Sequence, residues 1–172
     1  MGADRGGVDA VEAGFEDAPE GSHPRDVLPS CRSVIALARR FLAGTLRCGG
    51  NTIPYTIARN LLSADLDRLS LALCYHLEDR GLTAVPAGAI EPTLFDAKTR
   101  RFRNAVSAKH CAVAAGLGRI GKNTMVVTQE YGNMVWLTAV LTEAELEPDP
   151  RLEGDPCPKG CELCLKNCPV QA

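Results

Sequence analysis

Residues 107–142 decide the fold. They run Ser107-Ala108-Lys109-His110, Cys111 to Ala115, Gly116-Leu117-Gly118-Arg119-Ile120-Gly121-Lys122-Asn123, and then two β-branched runs ending at Thr142. Ser107 is placed to cap a helix that continues through Ala115 and stops at Gly116. Asn123–Thr128 and Met134–Thr142 read as strands joined into a hairpin by Gln129-Glu130-Tyr131-Gly132-Asn133. This order of helix, loop and strand removes two nucleotide readings. G-x-G-x-x-G at 116–121 requires a strand before it and a helix after it, and G-x-x-x-x-G-K at 116–122 is followed by Asn123 where magnesium needs Ser or Thr. A glycine-rich turn remains. Either it only links a helix to a strand, or its three glycines let the backbone approach a large planar or phosphate-bearing cofactor. In the second case Arg119 and Lys122 offer charge and donors to the cofactor's polar periphery.

Working outward, Ser33–Phe41 is a compact apolar run and reads as a buried strand ending at Arg39-Arg40. That arginine pair lies too deep in the chain, and is followed by residues too polar, for an export signal. From Tyr55 to Arg80, Ile57, Leu61, Leu62, Leu66, Leu69, Leu73, His76 and Leu77 recur at helical spacing, so one long amphipathic helix is expected, stopped by Gly81. His76 on that stripe reads as a satisfied core histidine. Leu82–Pro86 fits a short strand. Glu91–Arg103 reads as a loop with a solvated basic cluster of Lys98, Arg100, Arg101 and Arg103. The expected class is α+β, an antiparallel sheet with helices packed on it. Its expected parts are an irregular lead-in over 1–30, a cofactor-binding domain over 31–148 and a cysteine-rich segment over 149–172.

Cys157, Cys161, Cys164 and Cys168-Pro169 place four thiols within twelve positions. A cubane iron–sulfur cluster demands this arrangement, because one loop must present sulfur from several sides of an inorganic core. The spacing C-x3-C-x2-C-x3-C-P carries one residue more in its first gap than the bacterial ferredoxin run, and Pro158-Lys159-Gly160 supplies a turn there. Structural zinc more often takes two separated thiol pairs, and disulfides need oxidising surroundings. In two-cluster ferredoxins the Cys-Pro cysteine ligates the other cluster. Cys168 therefore either closes a single cluster here, or belongs with a second run beyond Ala172.

The chain has 172 residues, 19 basic and 21 acidic, for a net charge of −2. Such a balance leaves no electrostatic footprint for nucleic acid, and the scarcity of aromatics argues against a single-strand stacking platform. No apolar run reaches a membrane span, and Met1–Gly21 is acidic and glycine-rich, unlike a signal peptide. Cys74 and Cys111 read as small buried hydrophobes. Eight reduced cysteines, Cys31 and Cys48 among them, imply a cytoplasmic protein.

Ser107-Ala108-Lys109-His110, the run Ala115-Gly-Leu-Gly-Arg-Ile-Gly-Lys-Asn123, Tyr131-Gly132 and the cysteine run together resemble epoxyqueuosine reductase and the wider set of corrinoid-dependent iron–sulfur reductases, reductive dehalogenases included. The resemblance covers roughly residues 25–172, and 115–123 is its most specific part. It implies a nitroreductase-like cobalamin domain followed by a ferredoxin-type segment. It further implies a [4Fe–4S] cluster on Cys157, Cys161, Cys164 and Cys168, and cobalamin held near Ser107, His110, Gly116, Gly118, Arg119, Gly121, Lys122 and Asn123. The implied partners are a small-molecule or modified-nucleoside substrate and an electron donor such as ferredoxin or flavodoxin. Two features depart from the family. Phe102-Arg103-Asn104-Ala105 has no acid where the family carries a catalytic aspartate, so the general acid is unassigned; His110 and Lys109 are candidates by proximity alone. Only the first of the family's two cysteine runs is present, which fits a truncated member. The competing reading is an electron-transfer or accessory iron–sulfur module without an active site.

Overall fold

A computed structural model describes residues 5–10, 15–16, 18, 20–90, 93–97 and 100–170. The centre of the molecule is a four-stranded antiparallel sheet in the order β1-β2-β8-β3. Its strands are β1 (Arg5–Ala10), β2 (Ser33–Arg40), β3 (Ala84–Pro86) and β8 (Val135–Thr142). β2 and β8 pair along their whole length, from Ser33 opposite Thr142 to Arg40 opposite Val135, with β-branched Ile35 opposite Val140. The sheet with its packed helices is the α+β architecture expected from the order of elements.

Strand alternation divides the core into two layers. Val34 and Ala36 of β2, with Ala139 and Leu141 of β8, face Val106, Cys111, Ala112 and Ala115. That layer contains helix α3 (Ala108–Ala114). Ile35 and Val140 point the other way, towards Cys74 and Leu77 of the long helix α2 (Ile53–Glu78). Gly7 explains how β1 fits against α3: a Cβ there would lie 2.2 Å from the Ala115 carbonyl oxygen. Only a residue without a side chain lets strand and helix end approach so closely.

Five expectations are corrected. Residues 5–10, expected inside an irregular lead-in, form β1 and pair with β2 from Arg5 opposite Ala38 to Ala10 opposite Ser33. Short helix α1 (Pro24–Val27) follows, capped by His23, whose side chain accepts the Arg25 N–H. Glu91–Arg103 is not simply a loop, because β4 (Thr93–Asp96) and β5 (Arg101–Asn104) form an antiparallel ladder. Of its basic cluster, Lys98 lies outside the described residues. Asn123–Thr128 does not pair with β8; β7 (Val126–Val127) instead pairs with β6 (Arg119–Ile120), inside the glycine loop. His76 is exposed, not a core histidine.

The fifth correction concerns the buried face of α2. It consists of Ala58, Ser63, Leu66, Ser70, Cys74 and Leu77, while Ile57 and Leu61 are 54% and 66% exposed. Apolar residues surround this helix, so periodicity alone could not single out the packed stripe. Small residues win the sheet side. Ser63 and Ser70 are buried there without penalty because each hydroxyl donates back to its own helix, to the Arg59 and Asp67 carbonyls. No helix among the described residues is long and apolar enough to cross a membrane.

Candidate functional site

The site is built where α3 ends. Ser107 caps the helix, its Oγ accepting the His110 N–H and lying 2.7 Å from His110 Nδ1. Gly116, at φ 69°, closes the other end. Its N–H donates to the Val113 carbonyl and that of Leu117 to Ala112, the paired bonds of a Schellman stop. The chain then folds back as β6 and β7 around a tight turn. Gly121 N–H donates to Met125 O, Thr124 N–H to Gly121 O, and Asn123 Oδ1 accepts the Met125 N–H. The Asn123 amide thus holds the turn itself.

The glycines give way to the protein's own chain. A Cβ on Gly116 would lie 2.4 Å from the Pro150 carbonyl oxygen, and one on Gly118 2.6 Å from Val126 Cγ1 and 2.8 Å from Val127 O. One on Gly121 would meet Cys157 Sγ at 3.6 Å. On the side where these glycines would carry a Cβ, the loop is covered by Pro150, β7 and Cys157. This modifies the functional reading of the glycines. Gly116 and Gly118 allow close approach, but of the Pro150 backbone and of β7, while the Cys157 thiol stands at an ordinary contact distance from Gly121.

The two basic residues of the loop reach the same segment. Arg119 Nη1 donates to the Glu153 carbonyl, while its Nε is buried without an acceptor among the described residues. Lys122 makes two bonds, its main-chain N–H to Cys157 Sγ at 3.4 Å and its ammonium to the Cys161 carbonyl at 2.9 Å. Pro158–Cys161 is the expected turn, with Gly160 at φ 75° and Cys161 N–H donating to Pro158 O. Cys164 sits on the single turn of helix α4 (Leu163–Lys166).

All eight cysteines are outside disulfides, and the four of the segment are half-buried. Among the described residues no three His, Cys, Asp or Glu side chains are gathered as a metal-binding set. This departs from the expected four-ligand site. Thiols have no attraction for one another, and a site of this kind is seldom preformed before its metal binds. In kind and number the donors suit an iron–sulfur group, and an N–H aimed at Cys157 suits a thiolate.

The eight expected cofactor residues therefore separate into three places. Arg119, Gly121 and Lys122 lie against the cysteine segment, with Gly118 packed on β7 and Asn123 holding the turn beside them. Gly116 lines a small recess of about 120 Å³ with Ala38, Arg40 and Tyr131. Ser107 and His110 line an open cleft of about 480 Å³, within the size range of small-molecule sites. Phe102, Asn104, Met125 and Trp136 also line this cleft and were missed from sequence. The one tryptophan of the chain was the available signal. Its indole N–H is buried without an acceptor among the described residues.

No protein-family model matches the chain. In sequence it is similar to epoxyqueuosine reductases. That of Gloeobacter violaceus is 33% identical over 159 residues, covering 86% of this chain and 43% of the relative. That of Pseudomonas aeruginosa is 28% identical over 153 residues, covering 88% and 40%. The chain thus spans about half or less of the length of the curated relatives it matches. Its fold is that of solved epoxyqueuosine reductases. The Streptococcus thermophilus structure aligns with a TM-score of 0.65 at 20% identity over 97% of this chain and 49% of that one. Another, solved with an epoxyqueuosine-modified tRNA stem loop, aligns with a TM-score of 0.58 at 21% identity.

Proposed function

We propose that the chain is an iron–sulfur oxidoreductase related to the epoxyqueuosine reductases. Electrons would pass from a [4Fe–4S] cluster on Cys157, Cys161, Cys164 and Cys168 to a corrinoid or similar cofactor, and then to a modified-nucleoside or other small substrate. The observation that carries this reading is the bond from Lys122 N–H to Cys157 Sγ, which seats the ferredoxin-type segment on the domain holding the cleft. Sequence similarity to enzymes of that name supports it.

In this reading residues 31–148, with β1, form the nitroreductase-like cofactor domain and residues 149–172 the cluster segment. A bound cluster supplies single electrons at a potential set by its surroundings. The chain's own residues do the rest. Ser107, His110 and Asn104 offer polar contacts to a cofactor or substrate in the cleft, and His110 and Lys109 are protonatable groups that line it. An electron donor such as ferredoxin or flavodoxin would reload the cluster, and a cytoplasmic setting keeps the thiols reduced.

A second reading, an accessory electron-transfer module without its own active site, is favoured by two observations. The glycine loop is covered by protein on the Cβ side of its glycines, and Asn104, an amide, lines the cleft where a carboxyl acid would serve. Anaerobic reconstitution with iron, sulfide and added cobalamin separates the two. The first reading expects a broad visible shoulder that bleaches on reduction, a paramagnetic signal from the reduced protein, and retained corrinoid bands. The module expects the first two without retained corrinoid. Zinc bound to a colourless protein, with no paramagnetic signal, sinks both.

A further inference from the structure

We propose that Lys122 is a positioning residue for the iron–sulfur cluster, a two-point clamp that ties the cluster's retention and reduction potential to the glycine loop. The inference rests on the function proposed above and extends it to a residue with a definite task. Lys122 bonds both to the thiol of Cys157 and to the backbone carbonyl of a second cysteine of the run, Cys161. Its main-chain N–H donates to Cys157 Sγ at 3.4 Å, and that thiol lies beside the preceding Gly121 at an ordinary contact distance. Its side chain then spans to the Cys161 carbonyl, at the end of the turn that separates the first two ligands. One residue thereby fixes both ends of the gap that is longer than in the ferredoxin run.

Two consequences follow from elementary electrostatics. An N–H bonded to a ligating sulfur withdraws charge from it, and hydrogen bonds of this kind are among the levers that set cluster potentials. Reduction adds one negative charge to the cluster, so a fixed ammonium nearby favours the reduced form. Lys122 is exposed, so solvent screens part of that attraction. The remaining effect belongs to the clamp, which holds the ligand loop in one geometry. Lys159 is the natural comparison. It carries the same charge within the segment, is exposed, and makes no bond to the main domain among the described residues.

The test uses the whole chain, reconstituted anaerobically, as unsubstituted protein and as Lys122→Met, Lys122→Arg and Lys159→Gln. Electron paramagnetic resonance is followed through a redox titration, iron release to a chelator is timed, and far-ultraviolet circular dichroism checks that each variant folds. Lys122→Met is expected to disfavour reduction about tenfold, a shift of about 59 mV for a one-electron couple, and to lose iron severalfold faster. Lys122→Arg, which keeps charge and donors, should stay within about twofold, as should Lys159→Gln. Equal potentials and release rates for Lys122→Met and the unsubstituted protein overturn the inference. So do equal shifts in Lys122→Met and Lys159→Gln, which would reduce the effect to net charge. If Lys122→Met fails to fold, Lys122→Arg decides: retention and potential near the unsubstituted values uphold the clamp, and loss of both overturns it. Absence of any cluster from the unsubstituted protein removes the proposed function and this inference with it, whereas a cluster with unaltered properties removes the inference alone.

Discussion

Cysteine is used in two ways in this chain, and each side chain's surroundings tell them apart. Cys31, Cys74 and Cys111 are buried in the core layers, and burial pushes the thiols of Cys31 and Cys74 above the ordinary cysteine value. A thiol that stays neutral reacts slowly, because the thiolate is the nucleophile. Cys48 is exposed, and the four cysteines of the segment are half-buried. Alkylation of the native metal-free protein should therefore label Cys48 and the segment cysteines within minutes and spare the other three until the protein unfolds. After reconstitution only Cys48 should remain reactive, as read by peptide mass spectrometry. Continued labelling of Cys157 in the loaded protein would count against its role as a ligand. The separation of core thiols from the segment was legible in the sequence for Cys74 and Cys111, because scattered cysteines on apolar runs behave as small hydrophobes. The fate of Asn123 was not. A side-chain amide that bonds two residues ahead looks, in one dimension, like any other polar loop residue.

Element by element, what could be read depended on how many faces carry the pattern. The strand at 33–40 and the helix ending at Gly116 were legible because a short apolar run and a Ser-to-Gly pair of stop signals each admit one solution. β1 was hidden, since glycine and aspartate are poor strand formers and only pairing with β2 makes that segment extended. The face of α2 was hidden for the opposite reason, too many apolar residues. Its orientation is testable. Leu66→Ala should cost about 2–5 kcal/mol, as for large-to-small core changes. Leu61→Ala on the exposed side should stay within about 0.5 kcal/mol, and denaturant titration of both would expose a helix turned the wrong way. The junction of β3 with β8 makes a separate prediction. Glu143 Oε1 accepts the Thr83 N–H at 2.8 Å, and that bond holds the carboxyl below the ordinary glutamate value. Because the folded pKa is lowered, the charged bond stabilises the fold above the glutamate range and is lost as pH falls through it. The thermal midpoint of the native protein should exceed that of Glu143→Gln at neutral pH. The gap should close as pH is taken below about 4.3, and a gap independent of pH would rule out this contribution.

On the scale of the whole molecule, the cysteine segment is fastened to the sheet domain, not appended to it. Asp149 exchanges two bonds with Val8 of β1, its N–H to the Val8 carbonyl and its carboxylate accepting the Val8 N–H. Arg119 holds Glu153, and Lys122 holds Cys157 and Cys161. Bonds 141 residues apart along the chain leave no local trace in the sequence, so this attachment could not be read there. It has a thermodynamic consequence. A group that binds only the folded segment stabilises whatever must be folded to present that segment. If the fastenings matter, cluster loading will raise the melting midpoint of the whole domain as well as ordering the tail. At a free concentration about 100 times the dissociation constant the gain is about 2.7 kcal/mol, which for a chain of this size is a rise on the order of 5–10 °C. Far-ultraviolet circular dichroism follows the sheet and α2, so its transition should move up on reconstitution and return on chelation under reducing, anaerobic conditions. Replacing Asp149 by Ala should shrink that rise while leaving the cluster spectrum intact, because it removes one of the two bonds to β1, the carboxylate's, without touching a cysteine. A sheet-domain transition that stays put while the cluster comes and goes would mean that the two parts fold independently, and that the bonds from β1 and the glycine loop carry no stability between them.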